Sequence, residues 1–342
     1  MTSLTVGPRW LVRRLGSQRL RGLGWVTWRQ HRMALAGCLA LLGGFGVLMV
    51  VNGLEMRGSC HRLGLEGCGS LGGRSCSGAL SVFERQYQGW ALFLPRILAF
   101  APGLLGTFVG APLIARELES GTFRFAWTQG RSRVAWALAK IAILGATLTA
   151  AALGFSLLFT WWFHPWEPVL GRMGSGQAYE ISGVVFAART LFAFALGALL
   201  GTLIRRTVPA MAATAALWTG VVWSSVLWLR PLIQAPLDVP TGSTLITSRG
   251  WTVTSWVQDP AGHRYGVKSD ELIGLFQRAR TDGVNSDGAF DTWLAGHGYT
   301  QWSSYQPGNR FWHFQSIEAS TYSILAVLLM AATLWWLNRS AV

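Results

Sequence analysis

Six apolar runs constrain this chain more than any other feature. They are Met33–Val51, Trp90–Ala115, Val134–Phe163, Gly183–Ile204, Val208–Leu229 and Ile317–Leu337, each near or above the roughly 20 residues that carry a helix across a bilayer core. The third is longer than one bilayer needs, so it tilts or lends part of itself to a flanking loop. The second contains Pro95, Pro102 and Pro112, which a membrane helix tolerates as kinks. Only 13% of the 342 residues are charged, about half the share in a soluble domain. The apolar and aromatic content excludes intrinsic disorder.

A net charge of +14 raises nucleic acid as a partner, but the positions of the charges argue otherwise. Seven arginines in residues 1–32, five basic residues in Arg116–Lys140, then Arg205, Arg206 and Arg339 all fall on one face, with Glu117 and Glu119 its only acids. The opposite face has twelve basic residues against thirteen acids. Basic residues near span ends mark the cytoplasmic side, so both termini are expected there, and no nucleic-acid partner is expected. The first span reads as an anchor: 32 residues precede it and no small-residue cleavage site follows. Residues 1–32 interleave Trp10, Leu11, Leu15, Leu20, Leu23, Trp25 and Trp28 with arginines. That fits an amphipathic helix among anionic headgroups or a plain positive-inside anchor. Arg96 and Arg189 lie inside apolar runs near their outer ends. Snorkelling to the headgroups is the default for such arginines, and lining a translocation path is the alternative.

Two segments lie on the outer side. Leu54–Gly89 holds Cys60, Cys68 and Cys76, with His61 beside the first. In an oxidising compartment three cysteines suggest one disulfide and a leftover thiol. Zinc held by Cys60, His61, Cys68 and Cys76 is the weaker reading, because no C-x-x-C knuckle is present and adjacent ligands pack badly. Cys38, inside the first span, reads as a small packed residue. In Arg230–Ser316, the alternation over Trp251–Val257 followed by Asp259-Pro260-Ala261-Gly262 predicts a strand and a turn. Ser269-Asp270-Glu271 opens a helix with Leu272, Leu275, Phe276 and Ala279 on one face. A second short helix is expected around Phe290–Leu294, ending at Gly296 and Gly298. Tyr305, Phe311, Trp312 and Phe314 stand just before the last span, where an interfacial aromatic belt is expected.

Several chemistries are missing. The only lysines, Lys140 and Lys268, do not follow glycine, which excludes a G-x-x-x-x-G-K-[ST] phosphate loop. H-E-x-x-H, G-x-S-x-G and a Rossmann glycine pattern are also absent, and the six histidines are scattered. No acid falls at the centre of a span, where a proton- or sodium-coupled carrier usually keeps one.

The most specific segment runs from Ala115 to Arg133: Arg116-Glu117-Leu118-Glu119-Ser120-Gly121-Thr122, ending in Gln129-Gly130-Arg131-Ser132-Arg133. It is a short amphipathic piece between two spans, in which Gly121 breaks a helix and Thr122 can cap the next. Leu118, Phe123, Phe125 and Trp127 would form an exposed apolar patch rimmed by charge, which is a docking signal. Together with Thr27-Trp28-Arg29-Gln30-His31-Arg32, Arg205-Arg206-Thr207-Val208-Pro209-Ala210-Met211, and Tyr305-Gln306-Pro307 with Arg310-Phe311-Trp312, this segment resembles membrane subunits of ABC exporters of the type-2 permease family, actinobacterial ones in particular. The resemblance covers nearly the whole chain.

The resemblance implies an all-α polytopic membrane protein of six transmembrane helices in a bacterial plasma membrane. A small α+β extracytoplasmic segment would lie between the fifth and sixth helices. The chain divides into a cytoplasmic lead (1–32), helices one to five with a coupling loop (33–229, loop 116–133), the extracytoplasmic segment (230–316), and the sixth helix with the C-terminus (317–342). The family's coupling helix seats in a separate ABC ATP-binding subunit, and Glu117, Glu119, Gly121 and Thr122 are the matching positions. Glu119 would be a docking charge and Phe123 or Trp127 an apolar knob. ATP and Mg2+ would bind in that partner, leaving no catalytic, cofactor or metal site in this chain. A second permease copy, identical or paralogous, and membrane lipids complete the expected surroundings. The chain departs from the family at Gly130, where proline is common, and in the length of residues 230–316. The rival reading is a non-transporting sensor that binds ligands through residues 230–316.

Overall fold

The computed structural model describes residues 9–65, 74–121, 133–173, 176–240, 250–266 and 269–339. Six helices are long and apolar enough to cross a membrane: Ala36–Arg62, Gly78–Ser120, Val134–Trp166, Val185–Ile204, Thr207–Leu232 and Gly308–Arg339. Each overlaps one of the six apolar runs.

Helix α1 (Arg9–Arg62) runs without a break from the lead into the first span. The second span is built in pieces: α2 (Arg74–Leu98), α3 (Ala101–Leu105), a π-helical turn (Gly106–Gly110) and α4 (Pro112–Ser120). Pro102 and Pro112 sit in the first turns of α3 and α4, where a missing N–H costs no helical bond. The third span is α5 (Arg133–Phe163). Beyond it, a 3-10 turn (His164–Trp166), α6 (Glu167–Leu170) and α7 (Gly176–Ile181) lead to α8 (Val185–Ile204). Helix α9 (Thr207–Ser224) continues through a π-helical turn (Ser225–Leu229) and a 3-10 turn (Arg230–Leu232).

Helix α8 is the hub. In its apolar window 72% of residues are buried, against 22% for the first, fifth and sixth spans. Its sequence explains why, because Ala193, Gly197, Ala198 and Gly201 let the second span pack backbone to backbone. A Cβ on Gly201 would meet the Ala111 carbonyl oxygen at 2.4 Å, and one on Gly197 would meet Ala111 N and Gly106 O at 2.6 Å. Small residues at helix contacts are what lipid-embedded packing uses in place of a hydrophobic driving force.

Between the fifth and sixth spans stands a four-stranded antiparallel sheet. It comprises β1 (Leu237–Pro240), β2 (Trp251–Gln258), β3 (Arg264–Gly266) and β4 (Thr300–Gln306), in the order β1-β4-β2-β3. Ser255 pairs with Ser303 and Trp256 with Trp302; the hydroxyls lie 3.0 Å apart and the indoles stack. Helices α10 (Asp270–Thr281) and α11 (Asp287–Gly296) are N-capped by Ser269 and Ser286, whose hydroxyls accept from the Leu272 and Ala289 N–H groups. On α10, Leu275 and Ala279 face inward, while Phe276 meets Phe290 of α11 edge-on at 5.0 Å. The last element is α12 (Phe311–Arg339).

The aromatic belt needs correction. Thr300–Gln306 is an interior strand, and Tyr305, Phe311 and Phe314 are all buried, leaving Trp312 exposed. Phe311 is taken up by an edge contact with Tyr179 at 5.6 Å.

Candidate functional site

At one end of the bundle, α4 runs out at Gly121, whose φ of 71° closes the helix in the left-handed conformation that favours glycine. In the last turn of α4, Leu118 packs against the main core. Glu117 and Glu119 flank it and reach different helices. Glu117 forms an ion pair with Lys140 of α5. That ammonium is buried and lies 4.6 Å from the centre of the Trp136 ring. Glu119 accepts from the Thr207 backbone N–H at 2.9 Å and from its hydroxyl at 2.7 Å.

Thr207 is the first residue of α9, and Arg206 before it makes no side-chain cap. The first N–H groups of a helix lack internal partners, and a carboxylate satisfies both the hydrogen bond and the dipole. Here the carboxylate comes from another span. The connection it secures is only Arg205 and Arg206, and Arg205 has the one positive φ (57°) outside glycine among the described residues. The foot of the loop thus ties the second span to the third through Glu117 and to the fifth through Glu119. Thr122, Phe123, Trp127, Cys68 and the side chain of Cys76 lie outside the described residues, and so does any disulfide they would form with Cys60. Among the described residues no group of three His, Cys, Asp or Glu is placed to hold a metal ion.

At the opposite end, where the sheet stands, the structure assembles a cluster that the sequence reading missed. Arg189 of α8 and Arg230, at the end of the fifth span, meet Glu180 of α7 and Glu318 of α12. Arg189 pairs with Glu180, and its Nη2 lies 3.0 Å from Glu318 Oε2. Arg230 lies 2.6 Å from Glu180 and 2.7 Å from Glu318. All four residues are at most 8% exposed. The Tyr179 hydroxyl donates to Glu318 at 3.3 Å, and the Arg230 guanidinium covers the Tyr179 ring at 4.4 Å. Two guanidiniums and two carboxylates make the cluster neutral, the condition under which charges survive burial in a membrane bundle.

Arg189 is therefore no snorkelling residue. It sits about 6 Å, four helical rises, inside the start of α8, and its charge is met within the protein. The sequence did carry a signal: Glu318 lies inside the sixth apolar run, so one run held an acid and another an arginine, each near the same end.

Gln315 locks the same region. Its Oε1 accepts from the Val184 and Val185 N–H groups, both at 3.0 Å. Its Nε2 donates to the carbonyls of Tyr179 (3.1 Å) and Ser182 (3.0 Å). Ser156 of α5 donates to the Ile181 and Gly183 carbonyls at 2.7 and 2.6 Å. The turn between α7 and α8 is thus satisfied by side chains, as irregular backbone at membrane depth must be.

The six membrane-crossing helices agree with a comparison against protein families. The model described as "ABC-2 membrane transporter related" matches residues 39–230, more than half of the chain. The chain belongs to this ABC-2 transporter family. No curated protein and no solved structure matches it. As an ABC-2 permease it is a multi-pass membrane protein of a transport system. The family is typically a non-catalytic membrane subunit and implies an ABC ATP-binding partner. The matched region holds Glu117, Glu119, Glu180, Arg189 and Arg230 and ends at Arg230. The sheet and the sixth span, which brings Glu318, lie beyond it.

Proposed function

We propose that this ABC-2 permease is the membrane half of an ATP-driven exporter in a bacterial plasma membrane. Both termini are cytoplasmic and residues 230–316 face outward, following the placement of the basic residues. The loop between the second and third spans seats in a separate ABC ATP-binding subunit. Gly121 and Thr122 set its turn, Phe123 and Trp127 supply the apolar contact, and Glu117 and Glu119 stand at its foot. ATP and Mg2+ bind in the partner. Two permease copies, identical or paralogous, enclose the path, and Cys60, Cys68 and Cys76 supply one disulfide on the outer side.

The observation that carries this reading is the double tie at the loop. A segment that receives force from a partner has to pass it to the spans, and Glu117–Lys140 and Glu119–Thr207 connect this one to two of them. Purification of the tagged full chain from its native membrane tests the reading. The expected result is a co-purifying P-loop ATPase whose hydrolysis rate responds to a hydrophobic antibiotic, lipid or peptide from a screened panel. A chain that comes through alone, binding a ligand without any ATPase, supports the sensor reading instead.

A further inference from the structure

Glu119 has the residue type and position of a docking charge, but its carboxylate, though exposed, is engaged within the chain. Both hydrogen bonds it makes go to Thr207, 88 residues away. Thr207 opens the fifth span, and the preceding Arg206 provides no side-chain cap. The chain passes from the left-handed Arg205 through an extended Arg206 into α9, and the Glu119 carboxylate satisfies the first N–H of that helix. Behind this contact, Gly201 of α8 touches the Ala111 carbonyl. Ala111 directly precedes α4, so α8 packs on the root of α4 while Glu119 in its last turn reaches the first turn of α9. The far end of the fifth span is held as well, by Glu180 and Glu318 on Arg230. Between those ends most of the span is exposed to its surroundings.

We propose that Glu119 is a positioning residue that carries movement of the loop into the fifth span by capping its first turn, and that it is not a contact with the ATP-binding subunit. The proposal rests on the exporter reading above. When the loop is displaced, α4 moves with it. The carboxylate draws the start of α9 along, while Arg230 restrains the far end. The span then pivots on its outer end. Without the carboxylate the loop still seats in its partner, but the displacement stops at α4.

The test uses the full-length complex with its co-purifying P-loop ATPase and a cysteine placed at Val208, an exposed position at the swinging inner end of the fifth span. Alkylation of that cysteine by N-ethylmaleimide is read by peptide mass spectrometry in the nucleotide-free and vanadate-trapped complexes. In the otherwise unaltered complex the two rates are expected to differ about fivefold, the lower range of coupling between sites. Glu119→Ala should bring the ratio close to one while the ATPase co-purifies in unchanged amount. Glu119→Gln keeps an acceptor for the Thr207 N–H and should restore most of the ratio. Thr207→Val removes the hydroxyl donor and leaves the N–H, so it should fall between the two. Combining Thr207→Val with Glu119→Ala should add nothing, because the two residues act as a pair. Loss of the ATPase from the Glu119→Ala complex would make Glu119 a docking charge and overturn the proposal. An equal ratio in wild type, or a full ratio in Glu119→Ala, would do the same. Failure of any ATPase to accompany the wild-type chain strikes the exporter reading, and the inference goes with it.

Discussion

Replacing Glu318 with glutamine is the sharpest probe of how the sheet end of this permease is held. Its carboxylate accepts from Arg189 at 3.0 Å, from Arg230 at 2.7 and 3.2 Å, and from the Tyr179 hydroxyl at 3.3 Å. The substitution keeps the shape but leaves two guanidiniums with Glu180 as their remaining counter-charge in a closed site. It also turns an amide N–H toward a cation. Removing one partner of a buried pair costs about 3–5 kcal/mol, because the surviving charge has no solvent to turn to. At a few degrees per kcal/mol for a chain of this size, the melting temperature in detergent should fall on the order of 10 °C. The assay is tryptophan fluorescence or size-exclusion after heating. Two further variants set the scale. Glu318→Gln with Arg189→Gln returns the cluster to neutrality with Arg230–Glu180 intact, and should recover a large part of the loss. Glu167→Gln breaks a half-exposed pair with Arg172 and should cost at most about 1 kcal/mol, as surface pairs do. A Glu318→Gln protein that melts with wild type, or a double variant worse than the single, would refute a closed electroneutral cluster.

Three further changes test other parts of the structure. Gly201→Ala places a methyl against the Ala111 carbonyl oxygen, a backbone atom that cannot turn aside; a loss of about 1–3 kcal/mol is expected from overpacking, read as a lower melting temperature. Gln315→Leu removes the group that satisfies four backbone atoms of the turn between α7 and α8. Amide exchange at Val184 and Val185 should rise by at least about tenfold, since each buried polar group left without a partner costs about 1–3 kcal/mol. In the sheet unit, burial opposes ionisation of Asp259, but the His263 N–H and ring and the Tyr265 hydroxyl hold its carboxyl below the usual range. A lowered folded value means that its contribution is complete above the unfolded carboxylate pKa of about 3.9 and is lost as pH falls through the folded one. Protection of the His263 amide, taken relative to its intrinsic exchange rate at each pH, should therefore fall below that range and stay constant above it, and Asp259→Asn should flatten the profile.

What the sequence displayed and what it hid divide along physical lines. The spans were legible because twenty apolar residues in a row have few other uses, and the breaks in the second span were legible in Pro102 and Pro112. Helix α10 was legible from Ser269 and the face of Leu275 and Ala279, since capping and periodicity are local. Strand β4 was not, because Gln301, Ser303 and Ser304 show no apolar alternation. They are buried or half-buried through pairing with strands distant in sequence. The charge cluster was hidden for the same reason: Glu180, Arg189, Arg230 and Glu318 meet only when four separate elements are folded. Read singly, Arg189 is near a span end and snorkelling is a sound expectation. Only the arrival of Glu318 from the sixth span removes the need for it. At the loop, Glu117 and Glu119 stood out as the only acids on a basic face, and both make contacts to other spans. The identities of their partners, Lys140 and Thr207, depended on which helices lie beside α4.

The two sites have one element in common, the fifth span. At one end its first N–H is held by Glu119 from the second span. At the other, Arg230 is held by Glu180 and by Glu318 from the sixth. The two clamps differ in kind. The Glu119 contact is a pair of exposed hydrogen bonds, weak enough in water to be remade during a cycle. The Arg230 contact is buried, multiple and neutral, so separating it would strand charges at membrane depth. A helix fixed firmly at one end and loosely at the other swings about the firm end. The exposed clamp is also the one beside the loop, where a partner can act on it. This asymmetry predicts the order of failure under mutation. Glu119 variants should remain folded and lose coordinated motion, whereas Glu318 variants should lose stability before any question of motion arises.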